Sequence, residues 1–275
     1  MDPSQQIALV SGATSGIGQA VALGLAKVGL TVVLVARDPG RGEAAISAIK
    51  AASGNDRIDL ILADLSSQAA IRSLAETYKA SFSRLDVLVN SAAVYLRSRE
   101  LTTDGLETMF AVNHLGYFLL TNLLLEPLQA SGEARVINIT APSTVQLDFA
   151  DLQGERHFNA LNAFGATKMA NLLFTFELAR RLEGTGIAVN AVHPGIVKTN
   201  LTRQMPALMR WGTNLMAAAP DRAAEPIVHL ATAPEFAGQS GRFYRNAAEI
   251  KPPAYSLDQS VQHRLWEASE KLTKL

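Results

Sequence analysis

Residues 7–25 read IALVSGATSGIGQAVALGL, an apolar run that breaks into glycines and resumes at helical spacing. Residues 7–12, IALVSG, are short and almost wholly apolar, as a strand covered on both faces is. Gly12, Gly16 and Gly18 then follow at Gly-x-x-x-Gly-x-Gly spacing, at the turn from strand to helix. Glycine lets a backbone turn tightly and approach a ligand, while the N–H groups that open the next helix attract negative charge. In this order, strand, glycine turn and helix predict a cradle for the phosphates of a nucleotide.

Working outward, similar runs recur: TVVLVA at 31–36, DLILAD at 59–64, VLVNSA at 87–92, RVINIT at 135–140 and IAVNAV at 187–192. The stretches between them are long enough for crossover helices. The pattern predicts an α/β fold, a doubly wound parallel sheet of Rossmann type with helices on both faces. No linker, fixed-period repeat or low-complexity tract divides the chain, so residues 1–275 are expected to form one domain. Two apolar helices are expected around the site, one after Asn113 (HLGYFLLTNLLLEPL) and one from Phe164 (FGATKMANLLFTFELARRL), with a polar, irregular loop over 141–163 between them.

Composition narrows the partners. Of 275 residues 48% are hydrophobic, 18% charged and 6% aromatic, a globular balance rather than a disordered or collagenous one. Lysine plus arginine and aspartate plus glutamate come to 25 each, so no basic field exists to hold nucleic acid. Cysteine is absent, which excludes disulfides, thiol nucleophiles and cysteine-ligated metal. The five histidines, at 114, 157, 193, 229 and 263, lack ligand spacing, and Gly-x-Ser-x-Gly does not occur, so neither a metal centre nor a serine hydrolase is expected. MDPSQQIALV has no signal-peptide character, and the apolar runs are shorter than the roughly 20 residues of a membrane span. A cytoplasmic location without a transmembrane segment is the expectation.

Past the second strand stand Ala36 and Arg37, where NAD-preferring proteins place a carboxylate on the ribose 2′-hydroxyl. A guanidinium there suits a 2′-phosphate, which favours NADP(H), although Asp38 follows at once.

The chain at this point resembles the short-chain dehydrogenase/reductase family, and within it the retinol-dehydrogenase-like branch. The resemblance rests on SGATSGIG at 11–18, ARDPGRGE at 36–43, ADL at 63–65, LVNSAA at 88–93, VNHLGYFLLTNLLL at 112–125, DLQGE at 151–155, KMANLLFTFELARRL at 168–182, VHPGIVKTNL at 192–201 and RLWEASEKL near the C-terminus. It implies that Gly12, Ser15, Gly16, Ile17 and Gly18 line a pyrophosphate, Arg37 a 2′-phosphate, and Asp64 with Leu65 an adenine. Asn90 would pack near the ribose, Lys168 would bond the nicotinamide ribose, and Pro194, Gly195 and Thr199 would hold the carboxamide end. Ser11 stands where threonine is usual, and NSAA replaces Asn-Asn-Ala-Gly.

The family's chemistry uses an Asn-Ser-Tyr-Lys set. Asn113 and Lys168 match, but Phe164 holds the tyrosine position and Ala141 the serine position. Phenylalanine has no proton to give to an alkoxide. General acid catalysis is worth about 10² to 10⁴ in rate, so ordinary carbonyl turnover is expected to be poor. Thr140 and Ser143 flank Ala141 as substitute hydroxyls, Lys168 is the simplest substitute acid, and Tyr95, His157 and His193 are further candidates. The first expectation is an atypical NADP(H)-dependent reductase of a small hydrophobic molecule, with an imine, conjugated alkene or activated carbonyl. Alternatives are a cyclase or isomerase using the dinucleotide as scaffold, and a silent cofactor-binding protein.

Residues 200–216 are expected to form a substrate lid, with Leu201, Met205, Leu208, Trp211 and Leu215 at spacings of three or four. TNLLL and LLFTF on the two apolar helices would permit a homodimer, and packing within one chain would explain them equally.

Overall fold

The computed structural model describes residues 2–197 and 218–275. Thr199 and the expected lid at 200–216 lie outside the described residues. The six expected strands form as β1 (Ile7–Ser11), β2 (Thr31–Ala36), β3 (Ile58–Leu62), β4 (Val87–Asn90), β5 (Arg135–Ile139) and β6 (Ala188–Val192). Two more, β7 (Arg242–Arg245) and β8 (Ala248–Glu249), complete one sheet of order β3-β2-β1-β4-β5-β6-β7-β8. All pairings are parallel except β7–β8, a hairpin that pairs Tyr244 with Glu249. This is a single doubly wound α/β domain of Rossmann type, as the pattern of runs predicts.

Helices cover both faces because side chains alternate along each strand. On one face Ala8, Val10, Val32 and Leu34 meet α1 (Gly16–Val28), α2 (Pro39–Ser53) and α7 (Pro220–Thr232). On the other, Leu9, Val33, Leu88 and Val136 meet α3 (Gln68–Ser81), α4 (Thr108–Leu123), α6 (Ala160–Arg181) and α8 (Gln259–Thr273). Short α5 (Leu125–Ser131) follows α4 at a 58° bend. Among the described residues no single helix is long and apolar enough to cross a membrane.

Four expectations are corrected. β3 is an outer strand with Asp59 and Leu62 exposed, so DLILAD is not covered on both faces. The helix expected after Asn113 begins at Thr108, where Glu107 caps it by accepting from Met109 N and Phe110 N. Asn113 therefore lies inside α4, within a wide π-turn over Ala111–Leu115. The helix expected from Phe164 begins at Ala160 because Asn159 caps it, which shortens the irregular loop to 141–159.

The two apolar helices are buried within one chain. Residues 167–179 of α6 are buried without a break, the signature of a helix enclosed on all sides. Part of that cover is α8, whose Trp266 sits 4.8 Å from the Phe118 ring and 6.1 Å from Phe174. LLFTF thus needs no second copy to cover it.

Candidate active site

In a parallel sheet of this order the crevice opens at the carboxyl ends of the strands, where the order reverses between β1 and β4. Gly12, Ser15, Gly16 and Ile17 are partly exposed there. Gly12 has φ +66° and Gly16 +58°. A Cβ on Gly12 would lie 2.7 Å from Ala92 Cα, and one on Gly18 would lie 2.4 Å from Gly12 O. The glycines therefore permit both the turn and the approach of β1 to the strand beside it. Ser11 ties the same ends together, its hydroxyl accepting from Ser91 N and Ala92 N at 3.0 and 3.2 Å. Ser15 opens α1 without a side-chain cap bond, and no acid occupies the first turn. First-turn N–H groups left this way face a bare turn, which suits the pyrophosphate of a dinucleotide.

Arg37 is exposed at the end of β2, while Asp38 caps α2 by accepting from Arg41 N at 2.7 Å. The acid that follows Arg37 is thus engaged by its own helix. Asp64 is exposed beyond β3 and Leu65 beside it is buried. Pro194 and Gly195 form a half-exposed turn after β6, with Gly195 at φ +80°. Asn90 is the exception among the expected ribose and phosphate neighbours. It is fully buried and donates to Thr121 Oγ1 at 3.0 Å and Asn138 Oδ1 at 2.9 Å, so it supports the crevice from beneath and offers no surface to a ribose.

Phe164 and Lys168 share a face of α6, one turn apart. The Lys168 ammonium stands 5.1 Å from the centre of the Phe164 ring, a favourable cation–π contact. Lys168 is 7% exposed, and burial lowers its pKa to about 8. No acceptor for the ammonium exists among the described residues. The Lys168 carbonyl accepts from Thr140 Oγ1 at 2.7 Å, so Thr140 fixes the lysine's backbone and is not a free hydroxyl beside Ala141. Ser143 differs. Its Oγ accepts from Val145 N and lies 3.3 Å from where a Gly165 Cβ would stand, against the turn that follows Phe164.

Asn113 is fully buried, and its amide is engaged at both ends. Its Oδ1 accepts from Val94 N at 2.8 Å, while Nδ2 donates to Val94 O at 2.9 Å and to Thr167 Oγ1 at 3.3 Å. The residue after Val94 is Tyr95, whose ring packs 5.7 Å from Phe164 at a steep angle. His157 is exposed. His193 has a buried Nδ1 without a partner, and burial lowers its pKa, aided by Arg245. His157 has no hydrogen bond to the group around Phe164 among the described residues, and His193 meets it at the Thr140 backbone.

A buried polar thread links this group to the rest of the chain. Asn138 Nδ2 donates to Thr175 Oγ1, which donates to Asn171 O. Asn171 Nδ2 donates to the Asn113 carbonyl at 2.8 Å. Its Oδ1 therefore faces His114 Nδ1 at 3.3 Å, and His114 Nε2 meets Ser269 Oγ at 2.9 Å. A neutral ring with hydrogen on Nδ1 donates to Asn171 Oδ1 and leaves Nε2 as an acceptor that shares the one Ser269 hydroxyl proton with Leu265 O. Thr167, Asn171 and Asn138 were not among the residues expected at the site. The available signal was a polar side chain interrupting an apolar run, as in RVINIT.

The sequence matches the family described as short chain dehydrogenase over residues 6–209. It is 37% identical over 268 residues to "Retinol dehydrogenase 12" of Mus musculus, covering 96% of this chain and 85% of that relative. To "Polyprenol dehydrogenase" of Mus musculus it is 37% identical over 280 residues, 98% of this chain and 84% of the other. Among solved structures it is similar to the "RhlG/NADP active-site complex" of Pseudomonas aeruginosa, at 27% identity and a TM-score of 0.73 over 94% of this chain and 100% of that one.

Proposed function

The chain belongs to the short-chain dehydrogenase family of oxidoreductases, and from that premise we propose that it is an NADP(H)-dependent reductase of a small hydrophobic molecule whose reacting group is an imine, a conjugated alkene or an activated carbonyl. One observation carries the reading. Lys168 is a desolvated ammonium held beside an aromatic ring, with no acceptor among the described residues. Such a group costs stability, and cost retained at a crevice is the mark of a ligand-facing residue. Its natural acceptors there are the hydroxyls of a nicotinamide ribose. The cradle of Gly12, Gly16 and Gly18 would hold the pyrophosphate and Arg37 a 2′-phosphate, Asp38 being occupied as a helix cap. The dinucleotide, when bound, supplies a hydride.

What the chain itself does follows from its residues. Phe164 excludes water from the Lys168 ammonium and gives no proton. Asn113 holds residue 94 in place. Tyr95 and Phe164, with exposed Leu161 and Ile196 nearby in sequence to the site, suit an apolar substrate, in keeping with relatives named for retinol and polyprenol.

The test is equilibrium binding of NADPH, NADP⁺ and NADH to the wild type and to Arg37→Ala. A charge-assisted bond to phosphate is worth about 1.5–3 kcal/mol, so Arg37→Ala should weaken NADPH about tenfold or more and leave NADH unchanged. Absence of binding by all three nucleotides would sink the reading. A second reading, a non-redox rearrangement of the same substrate class, draws on Phe164 itself. It requires product from NADP⁺ as readily as from NADPH, with constant nicotinamide absorbance.

A further inference from the structure

We infer that Tyr95 is the catalytic acid of this site, its phenol replacing the hydroxyl that Phe164 lacks. The inference rests on the reductase reading above and applies to a carbonyl substrate. Among the described residues Lys168 stands over the Phe164 ring, Ser143 beside Gly165 and Tyr95 against the ring, while the Thr167 hydroxyl is spent on the Phe164 carbonyl at 2.8 Å. Tyr95 is held from both sides along the chain. The backbone N–H and C=O of Val94 are both held by the Asn113 amide, and Leu96 N donates to Met109 Sδ at 3.3 Å. The Tyr95 ring is packed to 5% exposure, and its hydroxyl has no hydrogen-bond partner among the described residues. A contrast is Tyr117, whose hydroxyl is sealed in the core without a partner. Preorganised donors that need no rearrangement during reaction are what transition-state stabilisation requires. In this arrangement Asn113 becomes a positioning residue for the acid.

The step balances. The dinucleotide, held by Gly12, Gly16, Gly18 and Arg37, would supply the hydride for the carbonyl carbon, and the π pair of the C=O bond would then rest on oxygen. The Tyr95 O–H bond breaks as its proton joins that oxygen, giving the alcohol. The phenolate then takes a proton from water.

Two measurements test it. The first uses no turnover: the infrared carbonyl band of a long-chain unsaturated aldehyde bound with NADP⁺ in place of NADPH. A hydrogen bond from Tyr95 should move the band to lower frequency in the wild type, and Tyr95→Phe should return it to the position of the free aldehyde. A wild-type band already at the free position, or a shift that survives Tyr95→Phe, overturns the inference and leaves Ser143 or Lys168 as donor. The second is reduction with NADPH, where Tyr95→Phe should lower kcat about 10²-fold with little change in NADPH binding. Adding Phe164→Tyr to that variant should restore the rate, which repair of a merely structural loss would not do. A shifted band in a wild type that consumes no NADPH would instead sink the reductase reading while keeping the Tyr95 contact.

Discussion

At position 168 a single buried ammonium weighs on stability. Its pKa of about 8 lies below the ordinary lysine value near 10.5 because burial disfavours the charged form. The unfolded chain therefore binds the proton more tightly than the folded one, and folded stability should rise as pH climbs from about 8 to 10.5. Lys168→Met should flatten that rise and raise stability at pH 7 by roughly 1–3 kcal/mol, part of the desolvation cost being offset by the Phe164 ring. Urea unfolding of both proteins at pH 7 and pH 10 checks it, and equal midpoints at pH 7 would refute it. The identity of this residue was legible from its place in KMANLLF. The direction of Thr140 was not, since only packing tells whether a hydroxyl faces a crevice or the carbonyl of residue 168.

Among the elements, α4 departs furthest from what the chain pattern suggested. Periodicity finds the apolar stretch from His114 onward, but the start of the helix depends on Glu107 reaching forward to the N–H groups of Met109 and Phe110, and an acid in that position reads as a surface residue. The π-turn places His114 wholly inside the protein, where burial lowers its pKa to about 4. Unfolded histidine takes up a proton near 6.5. Below that value the unfolded state binds more protons, so stability should fall as pH drops from about 6.5 to 4, by about 3 kcal/mol at most from this group. His114→Gln, a neutral residue able to bond Asn171, should make the midpoint of urea unfolding less dependent on pH in that window. An unchanged pH dependence would show that other groups carry it.

For the molecule as a whole, the doubly wound parallel class was legible because six apolar runs alternate with helical stretches, whereas the strand order and the β7–β8 hairpin were not. RFYR carries charge at both ends and AE is two exposed residues, too little hydrophobic signal to separate an outer hairpin from a loop. The closing of the second face by α8 was equally hidden, since RLWEASEKL has apolar residues enough for any amphipathic helix. Trp266 anchors it, 6% exposed, with the Arg181 guanidinium 4.1 Å from its ring. Trp266→Ala should cost about 3–5 kcal/mol, read as a lower urea midpoint. A loss under 1 kcal/mol would mean that α8 is a minor cover rather than part of the core.

The bond between His114 and Ser269 spans 155 residues, and this has a consequence for how the protein is born. Synthesis proceeds from the N-terminus, and domains or their halves gather structure as they emerge. β1, β2, β3 and β4, with the glycine turn between the first strand and α1, have all left the ribosome once residue 90 has cleared it. The clamp on Val94 must wait for Asn113, the ring of Phe164 for α6, and the far end of the polar thread for α8. A nascent chain thus owns its dinucleotide cradle for most of its synthesis before it owns a finished site, and ligand present during translation would meet the half that is ready to receive it.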